Sequence, residues 1–253
     1  MYADVAVCLP LSRTFVYRVD EPIETGCRVL VPFRKREVEG FVVALREDRP
    51  GVDALLVKSV IDAHPLLRPE IFKLCRWISE YYVSPLGEVL KGALPPGITR
   101  KHVERGLTVS GPPPATTSRS NVVAGFSPRP TLTSDQSRAL QTIIGAPDFH
   151  PILLHGVTGS GKTEIYMRAA EHFLSTGQTS LILVPEIGLT PQLMGRFVER
   201  FHGKTAILHS SLTKRQRIDE WLRIYAGDAP IVIGTRSAVF APLLNIGLIV
   251  VDE

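Results

Sequence analysis

The first 46 residues carry apolar positions in short runs. Residues 2–9, 14–19, 28–33 and 38–46 are rich in Val, Phe and Tyr, and Pro, Asp and Gly separate them. That pattern predicts the strands of a small twisted sheet or barrel. The period then changes. Ile71, Leu74, Cys75, Ile78 and Tyr82 recur at helical spacing, flanked by Trp77 and Tyr81, and predict a helix over residues 69–82. Residues 85–94 fit a second, shorter helix stopped by Pro95-Pro96-Gly97. From residue 98 to 130 periodicity fades. Gly111-Pro112-Pro113-Pro114 and the Thr/Ser/Arg-rich stretch to Pro130 hold too little apolar surface for a core, so the segment reads as a linker.

The second half alternates. Strand-like runs at 151–155, 180–184, 205–208, 230–234 and 247–251 are separated by helix-like stretches at 162–175, 190–201 and 213–225. Strand, helix, strand in series implies parallel strands with right-handed crossovers. The runs are apolar at consecutive positions, as expected of a sheet covered on both faces. The expected architecture is α/β: a β-rich domain over residues 1–100, a linker over 101–130, and a parallel-sheet domain over 131–253.

Composition narrows the class. With 44% apolar and 21% charged residues among 253, the chain is globular in character, and no apolar run approaches the roughly 20 residues of a membrane span. Met1-Tyr2-Ala3-Asp4 has an acid where a secretory signal carries basic residues. Three scattered cysteines, Cys8, Cys27 and Cys75, offer neither a disulfide framework nor a four-cysteine zinc site. A cytoplasmic protein without a membrane partner is expected. The net charge of +4 sits entirely in the first half. Residues 1–130 hold 18 basic and 14 acidic residues, and the remainder holds 11 of each. Such an excess suits a polyanion, because basic side chains displace counterions from phosphates. It equally suits a solubilising surface.

The strongest chemical signal is Gly156-Val157-Thr158-Gly159-Ser160-Gly161-Lys162-Thr163, a complete Gly-x4-Gly-Lys-Thr loop between an apolar run and a helical pattern. Glycines let the backbone curl its N–H groups towards phosphate oxygens, Lys162 adds a cation, and the Thr163 hydroxyl suits magnesium. The chain also holds Ile249-Val250-Val251-Asp252-Glu253, an apolar strand running into two acids. In such sites the Asp holds magnesium and the Glu polarises the attacking water. These features point to ATP and magnesium, with Lys162, Asp252 and Glu253 as the catalytic set. Strand-end loops at 184–192 and 233–238 carry small hydroxyls and glycines suited to nucleic-acid phosphates.

GVTGSGKTE at 156–164, VPEIGLTPQ at 184–192, Leu208-His209-Ser210 and IVIGTRSAVF at 231–240 together resemble superfamily 2 DNA helicases of the primosomal, replication-restart family. Residues 10–15, 26–33, Tyr81-Tyr82 and 85–90 agree, so the resemblance covers nearly the whole chain apart from the linker. It implies a 3′-to-5′, ATP-dependent DNA helicase and a RecA-like lobe at residues 131–253. Residues 1–100 would then grip a nascent 3′ end, Phe15 and Tyr17 lining the pocket and Lys58 meeting a phosphate or base. Gln136 would contact adenine, Glu164 would count among the nucleotide-binding residues, and Pro185, Thr235 and Arg236 would meet the tracking strand. The implied partners are forked or single-stranded DNA, primosome proteins and single-strand-binding proteins. The opposing readings are core packing for Phe15 and Tyr17, a solvated charge for Lys58, a helix-surface residue for Gln136 and a structural ion pair for Arg236.

Four departures accompany the resemblance. Val16 stands where the family often has an acid that accepts from a terminal 3′-hydroxyl, and Arg34 stands where a glycine is common. Residues 101–130 are too short for the family's winged-helix domain. The family motif continues beyond Asp252-Glu253 into a second lobe with an arginine finger and a zinc module. An arginine finger contributes about 10³–10⁵ in rate, so this chain alone is expected to hydrolyse ATP weakly and to be a fragment. Its zinc cysteines are absent from this sequence. The alternative reading is a non-hydrolysing fork-binding module or decoy. A small-molecule kinase finds no lid-like arginine cluster to support it.

Overall fold

The computed structural model describes residues 1–47, 53–62, 64–99, 101–104, 131–157 and 159–252. Residues 105–130 of the expected linker, Thr158 and Glu253 lie outside the described residues. The chain divides into two compact units, Met1–Val109 with Ser211–Tyr225 and Phe240–Pro242, and a second unit formed by the remainder.

In the first unit, strands β1 (Tyr2–Val7), β2 (Phe15–Arg18), β3 (Arg28–Phe33), β4 (Arg36–Arg46) and β5 (Ser59–Val60) form an antiparallel sheet in the order β2-β1-β4-β3-β5. The two-residue strand β5 escaped the sequence pattern. Alternation sorts the side chains to opposite faces. Val5, Val7, Val29, Val31 and Val42 enter one core with Tyr17, whereas Ala6, Phe41 and Val43 enter another with Leu66, Ile71, Cys75 and Leu90. The second core is covered by α1 (Pro69–Tyr81) and α2 (Leu86–Gly92). Gly87 lets α2 lie directly on β1, because a Cβ there would stand 2.0 Å from the Val7 carbonyl oxygen. Ile98 and Val103 join this core, so packing extends past the expected start of the linker at residue 101.

One buried cluster ties the unit together. Arg28 is 6% exposed and donates through Nε to Asp62 at 2.6 Å, through Nη1 to Glu39 at 3.1 Å and to the Ile98 carbonyl at 3.2 Å. Burial alone would pull its guanidinium down, but bonds to Asp62 and the charges of Asp62 and Glu39 outweigh it, and the net shift is upward. The unit also includes most of the helix Lys214–Ala226 (α6), which the sequence grouped with the parallel-sheet half. Ile218 and Trp221 bury with Leu66 and Leu67, and Arg68 donates to the carbonyls of Tyr225 (2.9 Å) and Pro242 (3.1 Å).

The second unit holds a parallel sheet in the order β7-β8-β6-β9, made by β6 (Thr179–Leu183), β7 (Thr205–Leu208), β8 (Ile231–Gly234) and β9 (Ile246–Val251). Helices α3 (Ser134–Ile144), α4 (Lys162–Ser175) and α5 (Pro191–Phe201) complete it. Tyr166, Met167 and Ala170 of α4 and Phe197 and Phe201 of α5 pack with Ile182, Ile231 and Ile233 of the sheet. This is the parallel sheet of a RecA-like lobe. One expected strand is missing: residues 151–155 have no regular structure, and Leu153 is 93% exposed. A strand persists by pairing, and no described residue pairs with this run or with the outer side of β9.

Candidate functional site

Loop 156–162 opens α4 through two left-handed glycines, Gly159 at φ 81° and Gly161 at φ 87°. Gly161 is the residue that caps the helix, and its missing side chain matters twice. Its φ disfavours an L side chain, and a Cβ would stand 2.5 Å from Gln136 Nε2. Lys162 folds back over the loop and donates to the carbonyls of Gly156 (2.6 Å) and Val157 (3.4 Å). A cation held over a curled backbone at a helix N-terminus is arranged for an anion.

Gln136 sits in a reciprocal cap. Its amide N–H donates to the Thr133 hydroxyl, and its side-chain oxygen accepts from the Thr133 N–H at 2.9 Å. Its Nε2 donates to the Ser160 carbonyl at 2.8 Å, fastening the start of α3 to the loop. Each end of the amide retains one further hydrogen-bonding position, which leaves room for a base edge.

Glu164 follows the loop, but its carboxylate is buried among arginines. Arg168 lies at 2.8 Å, Arg200 at 3.3 Å and Arg196 at 3.9 Å. Arg200 also binds Glu171 at 2.6 Å, and that bond, with the nearby carboxylates, raises its affinity for its proton despite burial. Glu164 thus joins α4 to α5. On the opposite side of α4, the Tyr166 hydroxyl donates to Asp252 Oδ1 at 3.0 Å. Burial, then this bond and the carboxylate charge, push the phenol up, so it stays a neutral donor.

The topology aligns the remaining loops. Because β8, β6 and β9 are parallel neighbours, the segments after each emerge along one edge of the sheet. After β6, Pro185 is half-buried, Ile187 is exposed at the tip, and Thr190 caps α5 by accepting from the Leu193 N–H at 3.2 Å. After β8, Thr235 is buried, its N–H bound to the Leu208 carbonyl at 3.1 Å. Arg236 beside it is exposed and opens a 3₁₀ turn, Arg236–Phe240. After β9 comes Asp252, its N–H donating to the Leu183 carbonyl at 2.8 Å.

In the first unit, Tyr17 takes the packing role. It is 4% exposed, and its hydroxyl donates to the Pro32 carbonyl at 3.0 Å. Phe15 is half-buried and meets Phe33 edge-on with ring centroids 5.1 Å apart. Arg13 lies over Phe15 at 4.9 Å and Arg34 over Phe33 at 5.9 Å. Phe33, Arg34, Lys35 and Arg36 line a shallow pocket at the β3–β4 turn. Lys58 is exposed and paired with Glu37. Arg13, Phe33 and Lys35 stand beside the candidate residues without having been singled out in the sequence, since Arg13 lies in the bend before β2 and meets Phe15 only through the fold.

The described residues contain no group of three or more His, Cys, Asp or Glu side chains able to hold a metal. Asp252 and Thr163 nevertheless suit magnesium, which takes one or two protein oxygens and completes its shell with water and phosphate. Tyr166 lies one turn past Thr163 on α4, and its bond to Asp252 draws the carboxylate towards that helix. No helix among the described residues is long and apolar enough to cross a membrane.

Comparison with known proteins agrees with this geometry. Residues 4–95 match the 3′ DNA-binding domain (3′BD) of PriA, and residues 133–253 match the DEAD/DEAH box helicase family. Similar proteins include the replication restart protein PriA of Treponema pallidum, 36% identical over 97% of this chain and 37% of that protein. That of Haemophilus influenzae is 32% identical over 98% of this chain and 43% of its own length. That of Synechocystis is 52% identical over 49% of this chain and 15% of its own. The chain thus spans well under half the length of these relatives.

Proposed function

Because the chain joins a PriA-type 3′ DNA-binding domain to a DEAD/DEAH box helicase segment, and so belongs to the PriA replication restart family, we propose that it binds ATP with magnesium at loop 156–163 and single-stranded or forked DNA on its loops and basic surface. In the whole protein these events serve a 3′-to-5′ helicase that restarts stalled replication, together with primosome and single-strand-binding proteins. The domain organisation behind this reading is a DNA-gripping domain over residues 1–100, a linker over 101–130 and a helicase lobe over 131–253.

The observation that carries the reading is the left-handed Gly159–Gly161 loop with Lys162, on the lobe whose loops after β6, β8 and β9 share one edge. Lys162 exchanges its two carbonyl partners for phosphate oxygens, and the loop N–H groups take the remaining charge. Thr163 and Asp252 would hold magnesium, which would supply positive charge beside the phosphates. Glu253 polarises the attacking water, and Gln136 keeps the loop closed while meeting adenine. Pro185, Thr235 and Arg236 touch the DNA strand on the sheet edge that also carries Asp252. In the first unit, the half-buried Phe15 meets a base while Arg13, Arg34 and Lys58 face phosphates.

The test is fork-DNA binding and DNA-stimulated ATP hydrolysis by this chain and by Lys162→Ala. Stimulated turnover abolished by the substitution supports the helicase reading. Fork binding without turnover supports a binding module, and neither binding event sinks both.

A further inference from the structure

Tyr166 is assigned no role by the loop motif or by the family matches. Its ring is 9% exposed and packs in the second unit's core with Ile182, Val184, Phe197 and Val250. Rigid packing fixes where the hydroxyl points, and it points at Asp252 Oδ1, 3.0 Å away. Asp252 Oδ2 has no partner among the described residues. A carboxylate at the end of an edge strand otherwise rotates freely about its Cβ–Cγ bond. With one oxygen pinned by a buried donor, the other is held in one direction.

We propose that Tyr166 is a positioning residue for magnesium: its O–H orients Asp252 so that the second carboxylate oxygen is available to the metal or its water shell. The inference rests on the nucleotide-site reading above. Tyr166 is not a ligand and touches no reacting atom. It acts through Asp252, as hydrogen-bond partners of metal ligands generally do, and removing such partners typically weakens metal binding about 10–100-fold. The bland role, filling the core and satisfying a buried hydroxyl, affects stability but not the magnesium requirement.

The experiment titrates magnesium against a fluorescent ATP analogue bound to the 253-residue chain, with a chelator arm that reports metal-free affinity. Tyr166→Phe keeps the ring and removes only the hydroxyl. Metal-free affinity should match wild type, and half-saturation should need roughly ten times more magnesium. In an Asp252→Asn background the same change should have no further effect on the magnesium requirement. Should Tyr166→Phe not fold, Tyr166→Met removes the hydroxyl with an apolar chain and is read the same way. An unchanged magnesium requirement, or losses that simply add in the double variant, overturns the proposal. Wild-type chain that binds the analogue without regard to magnesium overturns it as well. Wild-type chain that binds no analogue overturns the nucleotide-site reading and this inference with it.

Discussion

At Gly161 two constraints coincide, a left-handed φ of 87° and a Cβ position 2.5 Å from Gln136 Nε2. Gly161→Ala should therefore destabilise the second unit by about 1–2 kcal/mol and displace Gln136, measurable as a lowered denaturant midpoint with lost nucleotide binding. Arg34 presents the opposite case. It holds φ 57° in the two-residue turn that pairs Phe33 with Arg36, which explains why a glycine suits that position. Arg34→Gly should leave the melting temperature equal or higher, weaken DNA binding, and shallow its salt dependence by about one counterion. The thiols set a pH limit. Burial pushes Cys8 and Cys75 from 9.0 to about 12. The folded chain therefore holds protons that the unfolded chain releases, and stability is complete below pH 9 and lost as pH rises from 9 towards 12. The denaturant midpoint should fall from pH 8 to pH 10, and fall less for a Cys8→Ala/Cys75→Ala variant. At this scale the turn made by Gly159 and Gly161 was legible because its geometry is local in sequence. Tyr166 and Arg28 were not, since each gains its meaning from a partner 86 or 34 residues away.

Elements were legible wherever their apolar side chains meet a core. The consecutive apolar run Val5-Ala6-Val7 announced β1, which is buried on both faces, and the 3.6 period from Ile71 to Ile78 announced α1, which buries one face. Pairing leaves no such trace. The run at 151–155 reads as a strand in composition yet stays unpaired, and β5, with two residues, is too short to show a period. Buried ions are equally silent. Arg28 holds β3, β4, Asp62 and Ile98 in one cluster, so Arg28→Met leaves Asp62, 2% exposed, without its bidentate partner. That should cost about 3–5 kcal/mol and melt the first unit first, visible as an early transition in calorimetry.

For the whole molecule, the two-part plan and the parallel character of the second half were legible, since each half keeps its own period. The placement of α6 was not. An amphipathic helix shows that it has an apolar face, not which core receives it, and Ile218 and Trp221 turned out to bury with Leu66 and Ile71. Because the candidate anion loop and the Arg13–Phe15 surface belong to separately packed units, their functions should separate by mutation. Lys162→Ala should remove nucleotide binding while leaving single-stranded DNA affinity within about twofold at fixed salt.

The outer side of β9, unpaired among the described residues, has a further consequence. Ile249 and Val251 are 56% and 69% exposed beside a row of backbone groups with no mate among the described residues. Such a flank recruits any extended polypeptide, including another copy of itself, so purified preparations should scatter light increasingly with concentration. A lysine at Ile249 should keep them monodisperse by adding a charge that resists docking. Colloidal behaviour, rather than ligand affinity, would then be the first property that a change on this strand alters.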